Sequence, residues 1–244
     1  MGIARTRTAA LVLFACLGCA ASQRVTLPLI PPFPIASTAP IRWAEPFDAL
    51  EPGRWRNVEV KGRTEYEAVE LDGRRCVKAE SHGGASILLT QVEFDPETYE
   101  WLSWRWRVDQ LVAGEDLSTK EGSDAPARVY VYFKTPGLPW QKRSIDYVWS
   151  ASLPVDTVIS SAYAQEAKII VVESGPAHVG QWRSVTRNLE DDYERCFGKQ
   201  HLPDIIAIGL MTDTDNTGAD ALAYFDDLRV SLTAHPVDAR ARRR

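Results

Sequence analysis

The densest chemistry in the chain lies in the stretch 204–232, DIIAIGLMTDTDNTGADALAYFDDLRVSL. Asp213, Asp215 and Asn216 crowd hard oxygen atoms into a few positions, and Asp226 or Asp227 adds a carboxylate from the strand that follows. Oxygen donors of this kind suit Ca²⁺. The D-x-D-N-x-G order resembles the opening of an EF-hand loop, but the twelfth position counted from Asp213 is Tyr224, where that loop needs a bidentate Glu. Asx-turns at a chain reversal produce the same composition without metal. A calcium site built from Asp213, Asp215, Asn216 and Asp226 and a plain polar turn are both open readings.

A second constellation is aromatic and basic. In 127–133, Val129, Val131 and Phe133 alternate with Arg128, Tyr130 and Tyr132, and in 145–151 Tyr147 and Trp149 recur at the same period. Arg105 and Arg107 alternate with Leu102, Trp104, Trp106 and Val108 in another such run. Sugar rings lay their C–H faces on aromatic rings while Arg donates to hydroxyls or carboxylates. The expected ligand surface is therefore Arg105, Arg128, Tyr130, Tyr132, Tyr147 and Trp149, beside a polar loop that carries Asp124. The competing reading is a second, covered core, since aromatics are good strand formers on any face.

A pair of carboxylates drawn from Asp124, Asp192, Asp213 and Asp215 would serve as acid and base in glycoside hydrolysis, given a suitable separation. Other catalytic chemistries lack support. His82, His178, His201 and His235 are scattered without metal spacing. No G-x-S-x-G occurs, and neither Gly83-Gly84 nor Gly175-Pro176 opens a helix after a strand, as a phosphate loop would.

These residues must be positioned by β-structure. Asp72-Gly73 between two alternating runs signals a short hairpin. Strands are expected over 65–71, 75–81, 86–94, 101–109, 127–133, 145–151, 168–173, 181–187, 205–211 and 221–232, the last two as a hairpin around the aspartate loop. Residues 111–126 read as a long polar loop, of the length at which loops are often functional. The segment LEDDYERCF, 189–197, is the one helix expected: Asn188 caps it, acids fill its first turn and Gly198 ends it. Many short strands with Gly and Pro turns predict an all-β fold, a two-sheet, jelly-roll-like β-sandwich over 43–233 with one short helix.

Composition sets the context. A net charge of −5 over 244 residues, with no zinc-finger spacing and no arginine-rich helix, argues against nucleic acid as a partner. Arg5 and Arg7 precede the apolar run 8–18 and the small residues Gly18, Ala20 and Ala21, the pattern of an export signal over 1–20. The run is too short to span a bilayer. Leu17-Gly18-Cys19 places a small residue before a cysteine, as a bacterial lipoprotein signal does, and would make Cys19 the lipidated first residue. Cys16, three positions earlier, departs from that pattern, and cleavage after Ala20 or Ala21 would remove both cysteines. Both processing routes stand, and a lipid anchor is the only membrane contact expected. Prolines 28, 31, 32, 34 and 40 make 21–42 a linker or an arm, and the arginines of 234–244 a basic tail. Cys76 and Cys196 are either two buried thiols or a disulfide, the latter worth about 4–5 kcal/mol in the chain-entropy model.

The blocks WLSWRWRV, DAPARVYVYF, DYVWSASLP, DDYERCFG and IGLMTDTDNTGADALAYFDDLRV resemble successive blocks of a bacterial exported family known as a domain of unknown function. The resemblance implies an export or lipoprotein signal, a periplasmic or outer-membrane location and no assigned activity. More loosely, the strand–aspartate loop–YFDDLRV order is similar to galactose-binding-like jelly rolls, where a late-strand acid helps hold structural calcium; Asp226 and Asp227 are the corresponding positions. The leading expectation is an exported, non-catalytic domain that binds a saccharide or related polar polymer. A carboxylate-dependent glycan hydrolase or lyase and a structural envelope lipoprotein that binds another protein remain open beside it.

Overall fold

The computed structural model describes residues 40–51, 53–136 and 142–234. The export signal, Cys19, most of the proline-rich segment and the basic tail lie outside those residues. The described residues form thirteen strands and one helix in two sheets packed face to face, the jelly-roll-like sandwich expected from the pattern.

One sheet has six strands in the order β11 (Arg183–Asn188), β6 (Trp101–Gln110), β13 (Asp220–Ser231), β4 (Arg74–His82) and β3 (Thr64–Leu71), with β1 (Ile41–Glu45) beside the second half of β13. The β3–β4 hairpin turns at Asp72-Gly73, with φ of 54° and 72°. Positive φ at both positions is what a two-residue turn needs to match strand twist, and Gly reaches it without cost. The other sheet has seven strands: β2 (Arg56–Lys61), β5 (Ala85–Phe94), β12 (Ile205–Met211), β7 (Ala127–Phe133), β8 (Ser144–Ser150), β10 (Ala167–Ser174) and β9 (Val158–Ser160). The β8–β10 pair is parallel.

The core is aromatic. Trp104 and Trp106 of β6 reach across the sandwich to Tyr147 and Trp149 of β8, with ring centroids 5.2 and 6.1 Å apart. The helix α1 (Leu189–Phe197) forms as its caps predict: the Asn188 side chain accepts from the Asp191 N–H at 2.9 Å. Its Tyr193 lies edge-on to Phe133 at 4.8 Å, closing one end of the core. Cys76 and Cys196 are unbonded, and burial pushes their thiols up to about 11 and about 12.

One expected connection is overturned. The apolar strand and the YFDDLRV strand are not a hairpin, because β12 belongs to the seven-stranded sheet and β13 to the six-stranded one. The aspartate loop between them is a crossover that ties the two sheets together. Thr64 Oγ1 donates to the Thr212 carbonyl at 2.7 Å, Thr212 Oγ1 donates to the Pro126 carbonyl at 2.8 Å, and Thr214 Oγ1 accepts from the Gly83 N–H at 2.8 Å. Short polar side chains that replace backbone partners explain why this loop is rich in Thr, Asp and Asn.

Candidate functional site: the outer face of the seven-stranded sheet

Strand register sorts the aromatic and basic residues. On β7 and β8, Ala127 faces Trp149 and Val129 faces Tyr147, so these four point into the core, where Tyr147 and Trp149 are fully buried. The opposite phase puts Arg128 beside Val148, Tyr130 beside Asp146 and Tyr132 beside Ser144 on the outer face. Tyr147 and Trp149 therefore leave the expected ligand surface. Every residue of β8 is buried, so the strand offers no exposed side from which its phase can be read. Arg105 leaves it too: it lies on β6 in the six-stranded sheet, with its guanidinium 5.3 Å from the Trp182 ring.

Arg128, Tyr130 and Tyr132 do share one face. Cross-strand neighbours extend it into three rows. Ile87, Met211, Arg128 and Val148 make the first, Leu89, Gly209, Tyr130 and Asp146 the second, and Gln91, Ala207, Tyr132 and Ser144 the third. The rings of Tyr130 and Tyr132 stack with centroids 5.7 Å apart and planes 10° from parallel. Gly209 makes room for this, since a Cβ there would stand 2.8 Å from Ile87 Cγ2 and 3.5 Å from Tyr130 Cβ.

Part of this face is covered. Leu117 and Ala125, from the long polar segment, pack on Val148, Ile169 and Val171. Glu115 anchors that segment, accepting from the Ser150 hydroxyl and, at 2.8 Å, from the Ala151 N–H. Burial nevertheless raises the Glu115 carboxyl above its ordinary range. Beyond this cover Tyr130, Asp146 and Ser144 are buried as well, while Leu89, Gln91 and Tyr132 stay half-buried.

Asp146 is the residue that sequence reasoning missed. Only 4% of it is exposed, and Ser144 Oγ donates to its Oδ1 at 2.9 Å. Its second oxygen takes no hydrogen bond among the described residues. Burial pushes this carboxyl up to about 7, against the opposing pull of Arg128 and the Ser144 hydroxyl. An acid between the apolar and aromatic Ile145 and Tyr147, in the strand SIDYVWS, was the available signal.

At the loop end of the same face stands the acidic group. One carboxylate oxygen each from Asp124, Asp213 and Asp215 lies within 4.8 Å of the others, a spacing that could hold a cation. Protein donors already engage those oxygens. Arg128 clamps Asp213 from Nε at 2.8 Å and Nη2 at 3.1 Å, and the Ala125 N–H adds a third bond. Asp124 accepts from the Thr217 N–H at 2.7 Å and the Asn216 amide at 2.8 Å. Lys61 Nζ lies 3.6 Å from Asp215, and the Asn216 side-chain oxygen accepts from the Tyr163 hydroxyl. Burial raises Asp213 to about 6 despite Arg128, and raises Asp215 with help from the Asp124 charge.

Asp226 does not join this group. It sits in the six-stranded sheet at a bulge in β13, where Asp227 has φ 51° and donates its N–H to Asp226 Oδ1. The expected calcium set is thus split between the crossover loop and the six-stranded sheet, and Asp124 stands where Asp226 was expected. Asp192 is remote from the group as well, held by Arg187 and the Tyr147 hydroxyl.

Three solved structures of similar strand arrangement are distant in sequence. The family 11 carbohydrate-binding module from Clostridium thermocellum, solved with a mixed-linked tetrasaccharide, is 9% identical, with 77% of this chain and 92% of that one covered and a TM-score of 0.41. Cellulose induced protein, Cip1, is 8% identical, with 80% and 99% covered and a TM-score of 0.44. The xyloglucanase domain of NopAA from Sinorhizobium fredii is 10% identical, with 72% and 92% covered and a TM-score of 0.42. At such values the likeness is one of strand arrangement, and none of their ligands is carried over to this chain. No curated protein matches. Over residues 53–229 the chain matches the family described as Protein of unknown function (DUF3047), and it belongs to that family.

Proposed function

We propose that the protein is exported and binds a saccharide or related polar polymer, without catalysis, on the outer face of the seven-stranded sheet. The observation that carries this reading is the stacked Tyr130–Tyr132 pair beside Asp146, a buried acid whose second oxygen takes no hydrogen bond among the described residues. Ring faces suit the C–H surface of a sugar, and a carboxylate oxygen with acceptor capacity to spare suits a donor on the ligand. From β2 to β8 the face crosses five strands, roughly 19 Å at ordinary strand spacing, enough for several ring units. The basic and apolar pattern of residues 1–20 supports export.

The test is a glycan array followed by calorimetric titration of any hit. Tyr132→Ala should weaken binding by about tenfold, the size of one lost aromatic contact, while leaving the thermal melt nearly unchanged. An array without hits at millimolar ligand, or full affinity in Tyr132→Ala, would sink the reading. Lipidation is tested by palmitate labelling in cells, which Cys19→Ser should abolish if Cys19 is the anchored residue.

A further inference from the structure

We propose that Asp146 anchors a cation-accepting subsite, so that the ligand unit lying on this face carries a protonated amine. The inference rests on the reading of the outer face as the binding surface and goes beyond it by naming the chemistry of the bound unit.

The groups that face Asp146 come from β7, from β10 and from the overlying segment. From β7 these are Arg128, Tyr130 and Tyr132, with Asp213 beyond Arg128. From β10 the facing residues are Ala167, Ile169 and Val171, none of which is charged. Glu115, in the overlying segment, is bonded to Ser150 and the Ala151 N–H. Arg128 is the one cation in this set. All of its hydrogen bonds go elsewhere, to Asp213 and to the Ser123 carbonyl at 2.9 Å. Among the described residues, Asp146 is left with a neutral hydroxyl on one oxygen and no hydrogen bond on the other.

A buried carboxylate held in this way carries a desolvation cost that Arg128 and the Ser144 hydroxyl offset only in part. A ligand hydroxyl would supply a hydrogen bond but no charge, whereas an ammonium supplies both, and charge-assisted bonds are roughly twice as strong. The neighbouring tyrosines act in the same direction. Ring faces attract cations, and a Tyr hydroxyl oxygen can accept from an ammonium N–H. Tyr130 spends its own hydroxyl proton on Met211 Sδ at 3.3 Å, which leaves the oxygen able to accept. A carboxylate ligand would meet Asp146 with like charge. The carboxyl of Asp146 stands at about 7, so a bound ammonium would draw it back toward the ordinary carboxylate range.

The experiment compares two trisaccharides by calorimetry on the full chain near pH 7. One is β-1,4-linked glucosamine; the other is cellotriose, which has a hydroxyl wherever the first has an amine. Cyclohexylamine serves as a bare ammonium probe. The amino trisaccharide should bind at least about tenfold tighter than cellotriose, and Asp146→Asn should erase the difference. Tyr132→Ala should weaken both sugars. Carboxyl NMR of Asp146 gives a readout that needs no variant: saturation with the amine should lower its pKa, and cellotriose should not. Equal affinity for the two sugars, or a preference that survives Asp146→Asn, overturns the subsite and leaves the binding surface standing. Cyclohexylamine binding that depends on Asp146, with neither sugar bound, keeps the subsite and overturns the saccharide reading. Failure of all three probes overturns both.

Discussion

Replacing Asp146 by Asn should make the protein more stable at neutral pH and change little in acid. Burial raises this carboxyl from 3.8 to about 7, a shift of about three units. At about 1.4 kcal/mol per unit, its ionisation costs the folded state ~4 kcal/mol, an upper figure. The sign follows from linkage. Between pH ~4 and ~7 the unfolded chain has released this proton while the folded chain still holds it, so stability falls as pH rises across that window. Below the window both states are protonated and the contribution is fully present. The amide of the Asp146→Asn variant keeps an acceptor for Ser144 Oγ and does not titrate. The stability difference between variant and wild type should therefore grow from near zero at pH 4 to several kcal/mol at pH 8. Asp213 acts in the same direction but is common to both proteins, so it cancels in the difference. Urea unfolding followed by circular dichroism measures this directly. At a slope of ~2 kcal/mol/M, the midpoint gap should widen by up to about 2 M between pH 4 and pH 8. A gap independent of pH, or a wild type that gains on the variant as pH rises, would refute the account of Asp146 as a buried acid with no cation bonded to it among the described residues.

Three further outcomes follow from the same structure. Arg128→Met strands the Asp213 carboxylate in the interior and should cost about 3–5 kcal/mol, read as a lowered urea midpoint; a loss below 1 kcal/mol would mean that the pair is solvated. Gly209→Ala drives a methyl to 2.8 Å from Ile87 Cγ2, so it should cost about 1–3 kcal/mol and disturb the Tyr130 ring, visible in aromatic NMR shifts. EDTA should leave the melting temperature unchanged, because protein donors engage Asp124, Asp213 and Asp215; a drop of several degrees would assign calcium to that group.

The strand pattern was legible where alternation, apolar runs or capping residues gave strong local signals. Ala127–Phe133 and Ile205–Met211 match the expected strands, and α1 was marked by Asn188, its acidic first turn and Gly198. β2 was not foreseen: RNVEVK is charged and lies at a sheet edge, where little burial imposes a pattern. The site was only half legible. Alternation placed Arg128, Tyr130 and Tyr132 together, but it could not say which sheet Arg105 joins, because pairing of β6 with β11 and β13 spans distant segments. Nor could it give the phase of β8, buried on both faces, on which the exchange of Tyr147 and Trp149 for Asp146 depends. The aspartate loop was misread for a related reason. A hairpin tip and a sheet-to-sheet crossover have the same local composition and differ only in where the second strand pairs.

The central claim, that the outer face of the seven-stranded sheet takes the ligand, is tested most directly by amide NMR during titration with the strongest array hit. The account predicts saturable shifts concentrated on β7, β8 and β12, around Tyr130, Tyr132, Asp146 and Gly209. Shifts that instead gather at the opposite sheet around Arg105 and Trp182, or in the cleft lined by Arg143, Tyr193 and His201, would contradict it.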